Sequence, residues 1–355
     1  MYVQTVDITR TGKSSPKRKS NVMIAVDVMS GEKPPEIIIR GALRAAEEFN
    51  IKVALVGDEE YIQDCLKRFG FGYTGNVEVF HASEVIAMHE KPSVACKTKK
   101  DASIMVCMRL VKDGIAQGIF SPGNTGAILI ASFMNIQRIE GVLRPTLATY
   151  IPTVKGRSLL LDAGANMDCI PEYLAQFAIM GEMFARKVQR KENPSIGILS
   201  IGREKAKGND LTLKTYEILK DLKINFIGNI EGYDISNGDV DVVICDGFIG
   251  NIVLKVTERV FKLTVQFVGQ EVENRLLQRI GYALIYPAVR NMRKRTDPSE
   301  YGGAYLLGLD ASIIIGHGSS DAITAYNGIQ MVNIGIKNKL NSLIVARLEE
   351  LGLKK

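Results

Sequence analysis

VDVVICDGFIGNIVLK, residues 240–255, decides the fold. The run 240–245 is β-branched and apolar almost without alternation, the pattern of a strand covered on both faces. It stops at Asp246-Gly247 and passes directly into an apolar stretch of helical period, so a strand feeds a helix through a Gly-rich turn. The same grammar recurs outward along the chain, in IAQGIFSPGNTGA at 115–127, RSLLLDAGANMDC at 157–169 and IGILSIGREKAKGND at 196–210.

Ten candidate strands follow from it: 22–27, 51–56, 77–81, 115–120, 146–151, 157–162, 196–201, 224–229, 240–245 and 311–316. Helical-period stretches at 35–49, 58–69, 172–190 and 210–222 separate most of them. The expected fold class is α/β, a doubly wound, largely parallel sheet with helices on both faces. One catalytic domain is expected over 21–345, with a helical hairpin at 251–296 inserted in it. In such sheets ligands bind beyond the carboxyl ends of the strands, which directs attention to the turns.

With 355 residues, 46% of them hydrophobic, the chain can bury a large core. Its 45 Lys+Arg against 39 Asp+Glu leave a net charge of +6, which suits an anionic substrate or membrane surface. No nucleic-acid motif accompanies that charge, so no nucleic-acid partner is expected. The five cysteines (65, 96, 107, 169, 245) show no CxxC spacing and read as reduced thiols of a cytoplasmic protein; no metal site is expected. Residues 1–20 are polar and basic without an apolar segment, the pattern of a flexible extension, and no run is long enough to span a bilayer.

Three turns carry chemistry. In SPGNTG (121–126), Asn124 and Thr125 fit both a helix cap and a site for an anion or acyl carbonyl. The loop IGREKAKGND places Lys207 beside Gly208 and the helix start at Asn209, where an ammonium and a helix N-terminus together can neutralise a phosphate dianion; Arg203 and Lys205 read as a solvated charge run. In DGFIGN (246–251), Asp246 can accept backbone N–H bonds, Gly247 relaxes the turn, and Asn251 fits a cap or an amide donor to a developing oxyanion. All three turns are expected to converge at one edge of one sheet. Asp162 and Asn166 of LDAGANMDC repeat the strand-end pattern, and neither GxGxxG nor a P-loop signature is present.

His317, after the last strand, fits a general acid or base and equally a hydrogen-bonded structural histidine. The KTKKD run at 97–101, with Lys100, fits a second phosphate contact or a solvated turn. Between Asn274 and Thr296 stand Arg275, Arg279, Arg290, Arg293, Lys294 and Arg295 with no acidic residue, beside Leu276, Leu277, Ile280, Leu284 and Ile285. That basic amphipathic segment fits an anionic bilayer surface or a dimer interface, and Pro287 is expected to kink or end its second helix.

Taken in order, AVDVMSG, KKDAS, SPGNTGA, RPTLA, LDAGANMDC, IGREKAKGND, FIGNIEGYDI, DVVICDGFIGN, YGGAYLLG and GHGSS resemble the bacterial phosphate acyltransferases of the PlsX type over residues 22–335. The resemblance implies a Rossmann-like sheet of the phosphate acetyltransferase and isocitrate dehydrogenase kind. It implies transfer of a fatty acyl group from acyl-acyl carrier protein to inorganic phosphate, yielding acyl phosphate for phospholipid synthesis. It further implies a homodimer without metal or cofactor, peripheral contact with the inner face of the membrane, and a downstream glycerol-phosphate acyltransferase as partner. Carried over by motif, Lys207 and Asn251 are the catalytic residues; Asp27, Lys100, Asn124, Thr125, Asp162, Asn166, Asn209, Asp246, Gly247 and His317 are the substrate and phosphate contacts. The first loop departs from the family's DAMGGDHAP: here it reads DVMSGEKPP (27–35), with Lys33 near the place of the missing histidine.

Two other classes use parts of this pattern. A dehydrogenase or an acetyl-coenzyme A phosphotransferase shares the sheet and Gly-rich turns, and a non-catalytic membrane scaffold would need the basic hairpin alone.

Overall fold

The structure, a computed structural model, describes residues 22–70, 75–273, 276–296 and 298–355. The N-terminal extension expected at 1–20 lies outside the described residues. The strands are β1 Met23–Asp27, β2 Lys52–Gly57, β3 Val77–His81, β4 Gly118–Ser121, β5 Thr146–Thr153, β6 Gly156–Leu161, β7 Ile196–Leu199, β8 Phe226–Ile230, β9 Val242–Ile244, β10 Ala304–Leu307 and β11 Ser312–Ile315. They form one sheet in the order β3-β2-β1-β4-β11-β10-β5-β6-β9-β7-β8.

Alternation along each strand divides the core. In β1, Ile24 and Val26 join the cluster on one face, while Met23 and Ala25 join that on the other. The helices Pro35–Phe49, Pro171–Lys187 and Ala322–Lys337 cover the first face, and Ser103–Lys112 and Thr125–Asn135 the second. This is why the strands read as unbroken apolar runs. The final helix, Leu340–Glu350, buries Ile344 and Leu348 against the same core and ties Arg347 to Glu182 at 3.0 Å. The boundary expected at 345 therefore falls inside a packed element.

Strand direction is what positions the site. β10 pairs antiparallel with both β11 and β5, and β5 pairs antiparallel with β6. The group β6-β9-β7-β8 therefore runs opposite to β3-β2-β1-β4-β11, although each group is parallel within itself. The carboxyl ends of the two groups lie on opposite edges of the sheet. KGND and DGFIGN share one edge with LDAGANMDC, and SPGNTG is on the other, which corrects the expected convergence of all three turns.

Candidate active site

β6, β9 and β7 are neighbours in register, with both Leu161 and Ile198 opposite Ile244, so their three exits emerge side by side. The loop after β6 folds around Asp162. That carboxylate is 0% exposed and accepts from the N–H groups of Leu147 (2.9 Å), Gly164 (3.2 Å), Ala165 (3.1 Å) and Asn166 (2.7 Å) and from Asn166 Nδ2 (2.8 Å). Burial pushes it above the usual carboxylate range, against the pull of those donors. Buried and bonded by these donors, Asp162 shapes the loop. Asn166 is engaged likewise: its Nδ2 also donates to Pro145 O at 2.7 Å, and its carbonyl accepts from Gly247 N at 2.8 Å, fastening this loop to the next.

After β9 the helix Gly247–Glu273 starts at once. Asp246 caps it, accepting from Ile249 N at 2.8 Å. Its two first-turn glycines are dictated by contact: a Cβ on Gly247 would stand 2.5 Å from Asn166 O, and one on Gly250 only 1.8 Å from Asp162 O. This close seat brings Asn251 over Gly164, whose own Cβ would lie 3.5 Å from Asn251 Cβ and 3.7 Å from its Oδ1. The Asn251 amide is exposed and has no hydrogen-bond partner among the described residues.

After β7 the loop 200–208 is drawn inward at the carbonyl of Lys207, which accepts from Ser200 Oγ and Asn229 Nδ2, each at 3.1 Å. Its basic residues separate cleanly. Arg203 pairs with the buried Asp234, and Lys205 with Glu217 at 2.9 Å. Burial alone would raise the Asp234 carboxyl, but the Arg203 guanidinium and the Glu231 N–H hold it below the usual range. Lys207 has no ion pair among the described residues and is exposed. Asn209 caps the helix Asp210–Leu219, accepting from Thr212 N at 3.0 Å. Two helices thus present their positive ends at an edge that carries the Lys207 ammonium and the Asn251 amide, an arrangement that can bind a small dianion and polarise a carbonyl.

Sequence comparison covers the stretch that holds these residues. The family described as "Fatty acid synthesis protein" matches residues 22–342. The chain is 46% identical over 330 residues to a protein of Leptospira biflexa named Phosphate acyltransferase, covering 92% of this chain and 97% of that one. It is 43% identical over 331 residues to a Phosphate acyltransferase of Pelotomaculum thermopropionicum, covering 93% and 96%. The chain belongs to the phosphate acyltransferase family. As a member it is an acyltransferase of fatty acid synthesis. Its fold is that of a phosphotransacetylase from Streptococcus pyogenes (TM-score 0.62, 17% identity, 89% of this chain and 94% of that one) and of the EutD phosphotransacetylase from Staphylococcus aureus (0.59, 14%, 88% and 94%).

The acyltransferase's opposite edge holds the remaining candidates. Asp27 is 0% exposed; it accepts from Ser121 Oγ at 2.7 Å and from the N–H groups of Met29 and Ser30, so it too anchors its loop from within. Asn124 caps the helix Thr125–Asn135 through Ala127 N, and its Nδ2 donates to Met88 O at 2.9 Å. Thr125 is exposed at the first position of that helix. Lys100 donates to Cys96 O at 3.3 Å. His317 Nδ1 accepts from Ser319 N at 3.2 Å and lies 2.8 Å from Ser319 Oγ, the structural arrangement its sequence context allowed.

The hairpin consists of Gly247–Glu273 and Leu276–Thr296; Pro287 lies within the second helix and does not end it. Ile280, Leu284 and Ile285 are exposed, Leu284 at 79%, while the side chains of Leu276 and Leu277 lie outside the described residues. Among the described residues no helix is long and apolar enough to cross a membrane. Sequence reasoning missed Ser200 and Asn229, which fix the backbone of Lys207; Asn229 stands within the quoted FIGNIEGYDI, but nothing local announces its partner 22 residues away.

Proposed function

We propose that the protein transfers a fatty acyl group from acyl-acyl carrier protein to inorganic phosphate, releasing acyl phosphate and the carrier thiol. The observation that carries this reading is the separation of the three basic residues of loop 200–208, two neutralised by Asp234 and Glu217 and Lys207 left free one strand away from Asn251. Lys207, Asn209 and the N-termini of the helices at Asp210 and Gly247 hold the phosphate dianion. A phosphate oxygen attacks the thioester carbonyl, and the Asn251 amide donates to the oxyanion that develops. As the tetrahedral intermediate collapses, the C–S bond breaks and the electron pair leaves on the thiolate, which water reprotonates. Phosphate is already a competent nucleophile, so positioning and charge neutralisation are the protein's main contributions. Asp246, Asp162 and Asn166 hold the loops in place.

A homodimer built on the hairpin, and peripheral attachment of that hairpin to the anionic cytoplasmic face of the membrane, complete the proposal. Exposed Ile280, Leu284 and Arg290 support membrane contact, which would hand acyl phosphate to a membrane-bound glycerol-phosphate acyltransferase. The test is release of carrier thiol from a long-chain acyl-acyl carrier protein, with and without phosphate. Phosphate-dependent release with acyl phosphate as product, lowered on the order of 10²–10³-fold in Lys207→Ala and Asn251→Ala, supports the reading. Release that ignores phosphate would make the protein a thioesterase, and no release would favour the scaffold.

A further inference from the structure

Loop 200–208 has almost no packing of its own. Gly202 is its one buried residue; Ser200 and Gly208 are half-buried and the rest, Lys207 among them, are exposed. Hydrogen bonds therefore carry its shape, and they converge on two carbonyls. Glu204 O accepts from Lys207 N at 2.9 Å and from Asn229 Nδ2 at 3.0 Å, while Lys207 O accepts from the same Nδ2 and from Ser200 Oγ, each at 3.1 Å. From the neighbouring strand, Asn229 thus puts both amide hydrogens on the two ends of one turn, 204–207.

A strand interior is a costly seat for that amide. Asn229 is 6% exposed within β8, and its Oδ1 is buried with no partner among the described residues, a desolvation penalty that an apolar side chain would not carry. Its aim depends on a bulge. β7 and β8 pair Ile196 with Phe226 but Gly197 with Gly228, so Ile227 is the extra residue, and Gly228 takes φ +92° beside it. Asn229, paired with Ile198, therefore lies on the same face as Phe226 three residues earlier; in a regular strand that odd spacing would put the two on opposite faces.

We infer that Asn229 is a positioning residue for phosphate, which holds the 204–207 turn so that the Lys207 ammonium, on its flexible four-carbon stem, starts from a fixed backbone beside the helix at Asp210. The inference rests on the phosphate-binding role proposed above for Lys207. Asn229 lies beneath the loop and acts through Lys207 alone.

The test is a double-mutant cycle on phosphate-dependent thiol release, for the wild type, Asn229→Ala, Lys207→Ala and the double variant. Asn229→Ala should lower kcat/KM for phosphate about tenfold and leave the KM for the acyl donor within about twofold. In the Lys207→Ala background the same substitution should cost less than about twofold, because the group it positions is gone. Ser200→Ala removes the other donor to Lys207 O from a half-buried position and should repeat the pattern at about threefold. It decides the matter if Asn229→Ala melts well below the wild type. A tenfold loss that recurs without Lys207, or a matching rise in the KM for the donor, overturns the inference, since a merely structural residue disturbs the whole site. So does an unchanged kcat/KM for phosphate in both Asn229→Ala and Ser200→Ala. A wild type whose thiol release ignores phosphate, or a Lys207→Ala that equals it, removes the reading of Lys207 itself, and the positioning role with it.

Discussion

Gly250→Ala tests the site without touching a polar group. The Cβ it adds would stand 1.8 Å from the carbonyl oxygen of Asp162, a backbone atom that no rotamer change can move. Ordinary contact begins near 3.4 Å, so the helix start at Gly247 must retreat by about 1.6 Å or the loop after β6 must give way. Either movement separates Asn251 from Gly164 and strains the bond between Gly247 N and Asn166 O. Overpacking of this kind costs about 1–3 kcal/mol of stability. Misplacement of a catalytic donor by an ångström costs on the order of 10²-fold in rate. Phosphate-dependent thiol release should therefore fall about a hundredfold in kcat, with a lower melting temperature. Near-wild-type turnover in a variant that melts at the wild-type temperature would refute the placement of Asn251 by this contact.

Other consequences are open to direct measurement. Lys205→Ala removes an exposed ion pair with Glu217 and should change turnover by less than about threefold, in contrast to Lys207→Ala; equal losses would dissolve the distinction between paired and free lysines. Asp101, held down to about 2 by the N–H and hydroxyl of Ser83 and by Arg109, has a folded value below its unfolded one. Its contribution is therefore complete above the ordinary carboxylate value and is lost as pH falls through about 2. Urea melts should find Asp101→Asn less stable than wild type near pH 6, by under about 1 kcal/mol for so exposed a pair, and the gap should close towards pH 2. Cys169, half-buried beside Asn166, has its thiol pushed up to about 12 by burial, with the Asp162 carboxylate adding to it. It should react with iodoacetamide far more slowly than free cysteine near pH 8, and comparable rates would contradict the buried environment.

The sheet was legible because its signals are local. A β-branched run that ends in Gly, Asn or Asp before a helical period identifies a strand wherever it lies, and from β1 to β9 and again at β11 such runs became strands. β10, AYLL, escaped because four residues between Gly303 and Gly308 carry neither alternation nor a helix behind them. Its loss had a large consequence, since its antiparallel seat between β11 and β5 helps turn the second half of the sheet against the first. Strand direction is set by pairing between distant segments, and no local pattern encodes it.

The candidate site divides in the same way. Lys207 and Asn251 stood out by residue type and by position after a strand, as did the capping residues Asn124, Asn209 and Asp246, because caps are chemistry between neighbours in the chain. Which loop lysine stays unpaired depended on Asp234 and Glu217, which tertiary folding alone brings to Arg203 and Lys205. Burial, too, was invisible in the chain: Asp27 and Asp162 look like ligand contacts from their strand-end positions and become internal anchors once the loops close over them. The sequence by itself determined every described strand but β10, together with the caps and the chemical groups on offer, through short-range periodicity and backbone hydrogen bonding. Only the tertiary structure decided which of those groups share an edge and which remain free to meet a substrate, because direction, burial and ion pairing are properties of residues far apart in the chain.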